Sequence, residues 1–437
     1  MTLRRSEVWA LLGTLAALVL LNLPIVGAQP WNFRPGSVDP TGVLGPLVKA
    51  ADGEWDLGLL RSIATLTGLL VALAAAAALR TSAWRPRVAV ALTLTVVAAL
   101  ILPAVALQAG LRQATAPWFH TNDSTYQIEL AGDLVLDGRN PYGHDYGRSG
   151  LERFYSRDGS VAPGTREDQV ALRHLAYFPG TPLTGAAWRL LPAPLDDYRF
   201  FVALATLALV GAALLFPGPL GWKLALGAVA AANPLLVRAA WFGTADAPAL
   251  LGVMLAFGLL MRRRVLLAAT ALAAAVLVKQ FALVALPFFA VALLLRTPRP
   301  LALRAGAAFA GVLAAGALPF LVAGPADLWR DTISYGTDTY RIVGYGLSAI
   351  LLNLGVLEDR RGPYPFLPIL LVTWLPVTAW LVWSQVRSRA LWVGAAGFSI
   401  SIFLLIFLGR VFQTSYLAWP LTGLVLTVLL AASERRA

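Results

Sequence analysis

Cysteine is absent from this chain. That removes disulfides, thiolate metal sites and cysteine nucleophiles together. Histidine is almost as scarce: His120, His144 and His174 lie far apart and make no helix-spaced metal pair. Acids are in deficit, 23 Asp and Glu against 35 Lys and Arg, for a formal charge of +12. No basic stripe interleaved with aromatics accompanies that excess, so no nucleic-acid partner is expected. A P-loop and a glycine-rich dinucleotide fingerprint are also missing. Paired carboxylates that would demand a metal are not seen; no cofactor is expected, and a divalent ion is left open.

The 437 residues are 58% hydrophobic and 13% charged, with a mean hydropathy of +0.70. Repeated apolar runs of about 18 residues or more are long enough to cross a bilayer. The expectation is an all-α integral membrane protein with about twelve transmembrane helices. The spans fall near 7–27, 57–79, 87–110, 197–216, 221–240, 246–261, 264–278, 281–296, 302–323, 365–384, 390–408 and 415–432. The first run follows Arg4-Arg5, is longer than a usual signal-peptide core and lacks a clear small-x-small cleavage site, so it reads as an uncleaved span. With the N-terminus in the cytoplasm, alternate loops carry Arg80, Arg85 and Arg87, then Lys223, Arg262-Arg263-Arg264, Arg296, Arg299 and Arg304, Arg387 and Arg389, and Arg435-Arg436, as the positive-inside rule requires.

This places three N-terminal spans at 1–110, a large extracytoplasmic loop at 111–196, and nine further spans with their outer loops at 197–437. Other outer loops fall at about 28–56 and 324–364. The large loop is too long for a connector, and Tyr142, Tyr146, Phe154, Tyr155, Tyr177 and Phe178 recur through it. Short amphipathic helices in the membrane interface are expected there.

The loop opens on Asp123. Asn122, Asp123 and Ser124 all suit a helix N-cap; a carboxylate at the membrane surface also suits a general base toward an acceptor hydroxyl. Tyr126, Leu130 and Leu134 then repeat at helical spacing, suggesting a surface helix, with Glu129, Asp133 and Asp137 as solvated or interfacial charges. Gly138-Arg139-Asn140-Pro141-Tyr142 reads as a turn. Ala176-Tyr177-Phe178-Pro179-Gly180 reads as a rigid re-entry loop with interfacial aromatics, or as an aromatic wall for a sugar or lipid chain.

Asn233-Pro234 inside a span should break or kink it. Trp241 to Asp246 follows, with Asp246 a cap or a site residue. Lys279 between two spans snorkels to the interface or faces a phosphate. The same argument covers Arg238, Arg341 and Arg410, the last followed by Gln413.

The order D-x-x-Y, helix, G-x-N-P-Y and aromatic-Pro re-entry, here Asp123, Tyr126, Gly138, Asn140, Pro141, Tyr142 and Tyr177-Phe178-Pro179, resembles the polytopic glycosyltransferases of the GT-C fold. The closest branch holds the actinobacterial polyprenyl-phosphate-mannose-dependent α-mannosyltransferases, the GT87 group (DUF2029). The resemblance covers about residues 115–420. It implies inverting transfer of a sugar, mannose by analogy, from a polyprenyl-phosphate donor to a lipid-linked or glycan acceptor on the outer face of the plasma membrane. Asp123 would be the base, and Lys279, Arg238, Arg410 and Arg341 would hold donor phosphate. Tyr126, Asn140, Tyr142, His174, Tyr177, Asp246 and Gln413 would line the substrates, with membrane lipids around them. Three spans precede the acidic loop where the family usually has one. Phe178 and Gln280 stand where it more often has proline. The competing class is a lipid or sugar transporter or flippase without transferase activity.

Overall fold

A backbone in hydrocarbon must satisfy its own N–H and C=O groups, and a helix does so within one segment. The computed structural model describes residues 3–26, 41–46, 49, 62–63, 65–70, 85–115, 121–151, 172–339 and 341–434. These residues are overwhelmingly helical. In chain order the helices are α1 (Arg5–Val26), α2 (Pro86–Thr115), α3 (Asp123–Leu136), α4 (Gly180–Arg189), α5 (Tyr198–Ala213), α6 (Leu220–Ala232), α7 (Pro234–Phe242), α8 (Asp246–Met261), α9 (Val265–Val278), α10 (Leu286–Arg296), α11 (Arg299–Ala323), α12 (Pro325–Trp329), α13 (Leu347–Asn353), α14 (Phe366–Ile369), α15 (Leu375–Ser388), α16 (Leu391–Leu408) and α17 (Ala418–Glu434). A two-residue parallel pairing joins β1 (Val343–Gly344) to β2 (Val411–Phe412), with Val343 opposite Val411.

Among the described residues, six helical stretches are long and apolar enough to cross a membrane: Arg5–Pro24, Pro86–Ala114, Arg299–Ala323, Phe366–Ser388, Leu391–Leu408 and Thr414–Glu434. A seventh is gained if α6 and α7, bent by 49° at their junction, count as one broken span. The protein is therefore a membrane-embedded all-α protein. Four further apolar helices, Tyr198–Ala213, Asp246–Met261, Val265–Val278 and Gln280–Arg296, have 10–17 residues, below the ~20 needed for a straight crossing. The expected span at 57–79 and loop at 28–56 lie mostly outside the described residues, as do His120, Phe154 and Tyr155.

The chain forms two compact units, Met1–Tyr126 with Ala187–Ala247, and Gln127–Ala186 with Pro248–Ala437. In the first, the expected break at Asn233-Pro234 is present, and side chains take up several of its freed groups. Asn233 caps α7 by accepting from the Leu236 N–H (3.1 Å) and donates back to the carbonyls of Val229 (3.0 Å) and Ala230 (2.9 Å). From α1, Asn22 donates to the Ala232 carbonyl at 2.8 Å. Also on α1, buried Glu7 accepts from the Gly221 N–H at 3.0 Å, near the start of α6.

In the second unit α3 departs from the surface helix that its sequence suggests. Thr125 through Glu129, Ala131, Gly132 and Leu134 are all buried, so burial is not confined to one face. Small residues cause this. A Cβ on Gly132 would sit 2.6 Å from the Ala186 backbone nitrogen, and one on Gly185 would sit 2.8 Å from the Ile128 carbonyl oxygen. α3 and α4 thus meet backbone to backbone. Of the three acids read as solvated, Glu129 is only 2% exposed, Asp133 is half-buried and Asp137 is exposed.

Candidate functional site

The N-terminus of α3 resolves the competition among Asn122, Asp123 and Ser124. Asn122 is the cap: its Oδ1 accepts from the Thr125 N–H at 2.8 Å, the side-chain-to-third-residue bond that satisfies an orphan helix donor. Asp123 is the first helical residue, partly exposed, and its Oδ1 accepts from the adjoining Ser124 N–H at 2.8 Å. The helix does not need this carboxylate as its cap. Behind it, the Thr125 hydroxyl donates to the Phe242 carbonyl at the end of α7, and the Arg112 guanidinium lies 5.9 Å from the Tyr126 ring centroid.

Arg112 belongs to a buried ion cluster that sequence reading missed. Asp197, the N-cap of α5, accepts from Arg112 Nη1 (3.2 Å), from Arg199 Nε (2.8 Å) and Nη2 (2.6 Å), and from the Arg199 N–H (3.0 Å). Arg199 has 0% exposure. The remaining expected residues of this unit divide. Asp246 is buried at the start of α8. Arg238 is exposed, with its guanidinium 5.6 Å from the Phe242 ring centroid. Trp241 is core: its indole donates to the Leu100 carbonyl at 3.2 Å, and Gln108 donates to its own carbonyl at 3.1 Å.

In the second unit, four expected residues, Asn140, Tyr142, His174 and Tyr177, are gathered around one that was not expected, Asp331. It is completely buried, at 0% exposure, in a π-helical stretch (Arg330–Thr339) that follows α12. Its Oδ2 accepts from the N–H groups of Gly143 (2.9 Å) and Leu175 (3.3 Å), while Oδ1 faces His174 Nδ1 at 3.0 Å. Arg330 Nε lies 3.7 Å from Oδ1. A π-helical turn re-aims side chains relative to an ordinary helix and is often found at functional sites.

The Gly138-to-Tyr146 turn is shaped for this contact. Asn140 Oδ1 accepts from the Tyr142 N–H at 3.1 Å, the Tyr142 hydroxyl donates to the Tyr177 carbonyl at 2.8 Å, and the Tyr146 hydroxyl donates to the Pro141 carbonyl at 2.8 Å. Gly143 has φ +68°, and a Cβ there would meet the Asp327 carboxylate at 2.6 Å. Only glycine meets both demands cheaply. Burial, then neighbouring Tyr146 and Asp331, push the Tyr142 hydroxyl well up; burial, then Asp331, do the same to Tyr146. Both phenols therefore stay neutral donors at physiological pH. The motif residues Asn140, Tyr142 and Tyr177 hold the turn against the 172–177 segment.

His174 is fixed along two directions. Asp331 accepts from Nδ1 in the ring plane, and Tyr335 stacks on the ring at a centroid distance of 4.7 Å and 21° between planes. The His174 carbonyl accepts from Gln127 Nε2 at 2.9 Å. Because a carboxylate only accepts, Nδ1 carries the proton, and a neutral ring presents its lone pair at Nε2.

Lys279 forms a separate cluster. It closes α9, with its N–H on the Ala275 carbonyl at 3.0 Å, and is only 7% exposed. Its Nζ lies 5.4 Å from the Phe281 centroid and 5.1 Å from that of Tyr416. The snorkelling expectation gives way to a buried ammonium among aromatic rings, an arrangement with its own attraction. Arg410 is also buried, donating through Nη1 to the Gly362 carbonyl at 3.2 Å, while its carbonyl accepts from the Val343 N–H at 3.0 Å. Arg341 is half-buried just before β1, and Gln413 is exposed just after β2.

Among the described residues no group of three or more His, Asp or Glu is placed to hold a metal ion. No protein-family model, curated protein or solved structure matches the chain.

Proposed function

We propose that the protein is a membrane glycosyltransferase of the GT-C type, moving a sugar from a polyprenyl-phosphate donor to a lipid-linked or glycan acceptor. One observation carries the reading: the bond to the Thr125 N–H that caps α3 comes from Asn122, while the Asp123 carboxylate bonds the Ser124 N–H and stays partly exposed. Such a carboxylate suits a general base that takes the acceptor hydroxyl proton as the oxygen attacks the sugar carbon. The phosphate leaves with the bonding pair, and a buried ammonium such as Lys279 suits the charge that builds on it. Twelve crossings, with the four shorter apolar helices and the 57–79 segment completing the count, and an extracytoplasmic site in the plasma membrane belong to the same reading. A general base contributes about 10²–10⁴ in rate. Asp123→Asn in purified, lipid-reconstituted protein given a polyprenyl-phosphate sugar should lose transfer on that scale; transfer at the parent rate sinks the assignment.

The transporter reading has one observation in its favour, the 49° break between α6 and α7, since broken helices at membrane depth are common in transporters. The junction's bonding favours a structural role, because the Asn233 side chain and the Asn22 amide nitrogen supply protein partners to its carbonyls and to the Leu236 N–H. Sugar-lipid movement across vesicles by Asp123→Asn protein that does no transfer would support transport instead.

A further inference from the structure

Two hydrogen-bond acceptors in the Asp331 cluster point to a ligand. The first is His174 Nε2. With the Asp331 carboxylate accepting at Nδ1, the neutral form of the ring has Nε2 as its accepting nitrogen, and among the described residues no group hydrogen-bonds it. The second is Gln280, at the start of the 3₁₀ turn between α9 and α10. Its Nε2 reaches the carbonyls of Ala176 (3.4 Å) and Thr332 (3.5 Å), which lie two residues after His174 and one after Asp331. Two carbonyl neighbours fix the amide's orientation, so the other end is Oε1, which is buried with no hydrogen-bond partner among the described residues. A buried acceptor left in that state costs about 1–3 kcal/mol. Such groups in a native fold call for a specific explanation.

We propose that His174, positioned by Asp331 and Tyr335, and Gln280 form a subsite for a polyhydroxylated ligand that donates hydrogen bonds from at least two hydroxyls. Both protein atoms accept, so the matching ligand groups must donate; alcohols do, and an ionised phosphate does not. Local charge agrees. The segment from α12 into the π-helical stretch carries Asp327, Asp331 and Arg330, and Arg330 is already paired with Asp327 at 2.8 Å. Tyr335 on the same stretch and Tyr142 and Tyr146 on the turn are phenols; of the neighbouring cations, Arg173 pairs with Asp145 at 3.8 Å and the Lys279 ammonium lies against the Phe281 and Tyr416 rings. An anion would meet two carboxylates and one engaged guanidinium. Naming the ligand a carbohydrate rests on the transfer reading; the demand for hydroxyl donors rests on the cluster alone.

The test is protection of His174 from diethyl pyrocarbonate, which acylates an unprotonated imidazole nitrogen. Labelling is read by peptide mass spectrometry on the full chain in lipid nanodiscs. The probes are n-octyl mannoside, n-octyl phosphate and n-octanol, and His144 is the internal reference. The mannoside should slow His174 labelling by about tenfold, the scale of one or two hydrogen bonds, while leaving His144 unaffected. Protection by octyl phosphate or by octanol to the same degree indicates an anion or chain site and overturns the proposal. So does a His174 that labels only after denaturation. Gln280→Met removes the orphaned acceptor together with two long donated bonds, so it should change the thermal midpoint little, yet it should weaken mannoside protection severalfold. Unchanged protection in Gln280→Met removes the amide from the site and the proposal with it. No step depends on sugar transfer, so loss of the enzymatic reading and loss of the subsite are separate results.

Discussion

Two buried aspartates sit at helix starts in the two units of this chain, and their surroundings are opposite. Asp197 is held by two guanidiniums, Arg112 and Arg199, which supply four donated bonds in all with the Arg199 backbone. Asp331 is held by two backbone N–H groups and one imidazole, with the half-exposed Arg330 guanidinium farther off at 3.7 Å. The first arrangement is charge against permanent charge, so it locks structure and can exchange no proton near neutral pH. The second places the one titratable, orientable side chain of the cluster against the acid. A carboxylate neutralised by arginines fixes a fold; a carboxylate that holds an imidazole prepares a site.

The sharpest way to break this comparison is to remove each acid. Asp197→Ala leaves the wholly buried Arg199 charge with its main partner gone. Breaking one side of a buried pair costs about 3–5 kcal/mol, so the thermal midpoint of the detergent- or nanodisc-held protein should fall by many degrees, whatever ligand is present. A double replacement, Asp197→Leu with Arg199→Met, should recover part of the loss, since Arg112 still loses its bond to Asp197 and α5 its cap. An Asp197→Ala protein that melts like the parent removes the structural assignment.

Asp331→Ala comes next. It strands the Gly143 and Leu175 N–H groups, at about 1–3 kcal/mol for each buried unsatisfied donor. Asp331→Asn, with its amide oxygen in the Oδ2 position, keeps the acceptor for both and should cost less in stability. It also gives the ring an N–H donor beside Nδ1, which favours the opposite tautomer. Amide exchange at Gly143 and Leu175 should quicken in Asp331→Ala, while the Asp197 region stays protected. Equal exchange in parent and variant would falsify the role of Asp331 in holding the Gly143 and Leu175 segments.

How far the sequence foretold these regions depends on the kind of signal. Membrane embedding was legible, because long apolar runs leave a bilayer as the matching solvent, and so was the break at Asn233-Pro234, because proline lacks the N–H that an unbroken helix needs. The burial of α3 was not. Its Tyr126, Leu130 and Leu134 spacing describes one face, while Gly132 and Gly185, which let α4 close in, carry no side chain to register in a hydrophobic pattern. Within the site, Asn140, Tyr142, His174 and Tyr177 stood out as polar and aromatic groups in a long loop. Asp331 and Gln280 did not, because their meaning lies in contacts across more than 100 residues of sequence, such as Asp331 to His174 at a separation of 157. The spacing Asp331 to Tyr335, one helical turn, was the available signal. Asp197 followed by Arg199 was the corresponding one in the first unit.

A smaller effect separates capping from chemistry at α3. Asn122→Ala removes the side-chain acceptor for the Thr125 N–H and should cost about 1 kcal/mol, with Asp123 chemistry reduced only as far as the helix start loosens. Asp123→Asn should leave stability within about 0.5 kcal/mol of the parent while lowering transfer about 10²–10⁴-fold. If Asp123→Asn destabilises as much as Asn122→Ala, the two residues share the cap, and the observation that singled out Asp123 is lost.

The smallest expected effect lies at His144, in the same turn that delivers Gly143 to Asp331. Burial, then the Arg139 guanidinium, lower its pKa, with neighbouring Asp145 opposing. The folded chain thus prefers the neutral ring and releases its proton more readily than the unfolded chain. As pH falls through the ordinary histidine value of about 6.5, the unfolded state takes up the proton first, so the stability that this ring contributes is present above that value and lost on going down toward the lowered one. Melting measured at pH 7.5 and pH 5.5 should show a drop that shrinks in His144→Gln. Partial exposure lets solvent screen the effect, so it should be well below those of Asp197 or Asp331. A drop that is the same in both proteins assigns the acid sensitivity elsewhere, with the Asp331–His174 pair the next group to replace, and that result would bring the comparison of the two aspartates back to the one that holds an imidazole.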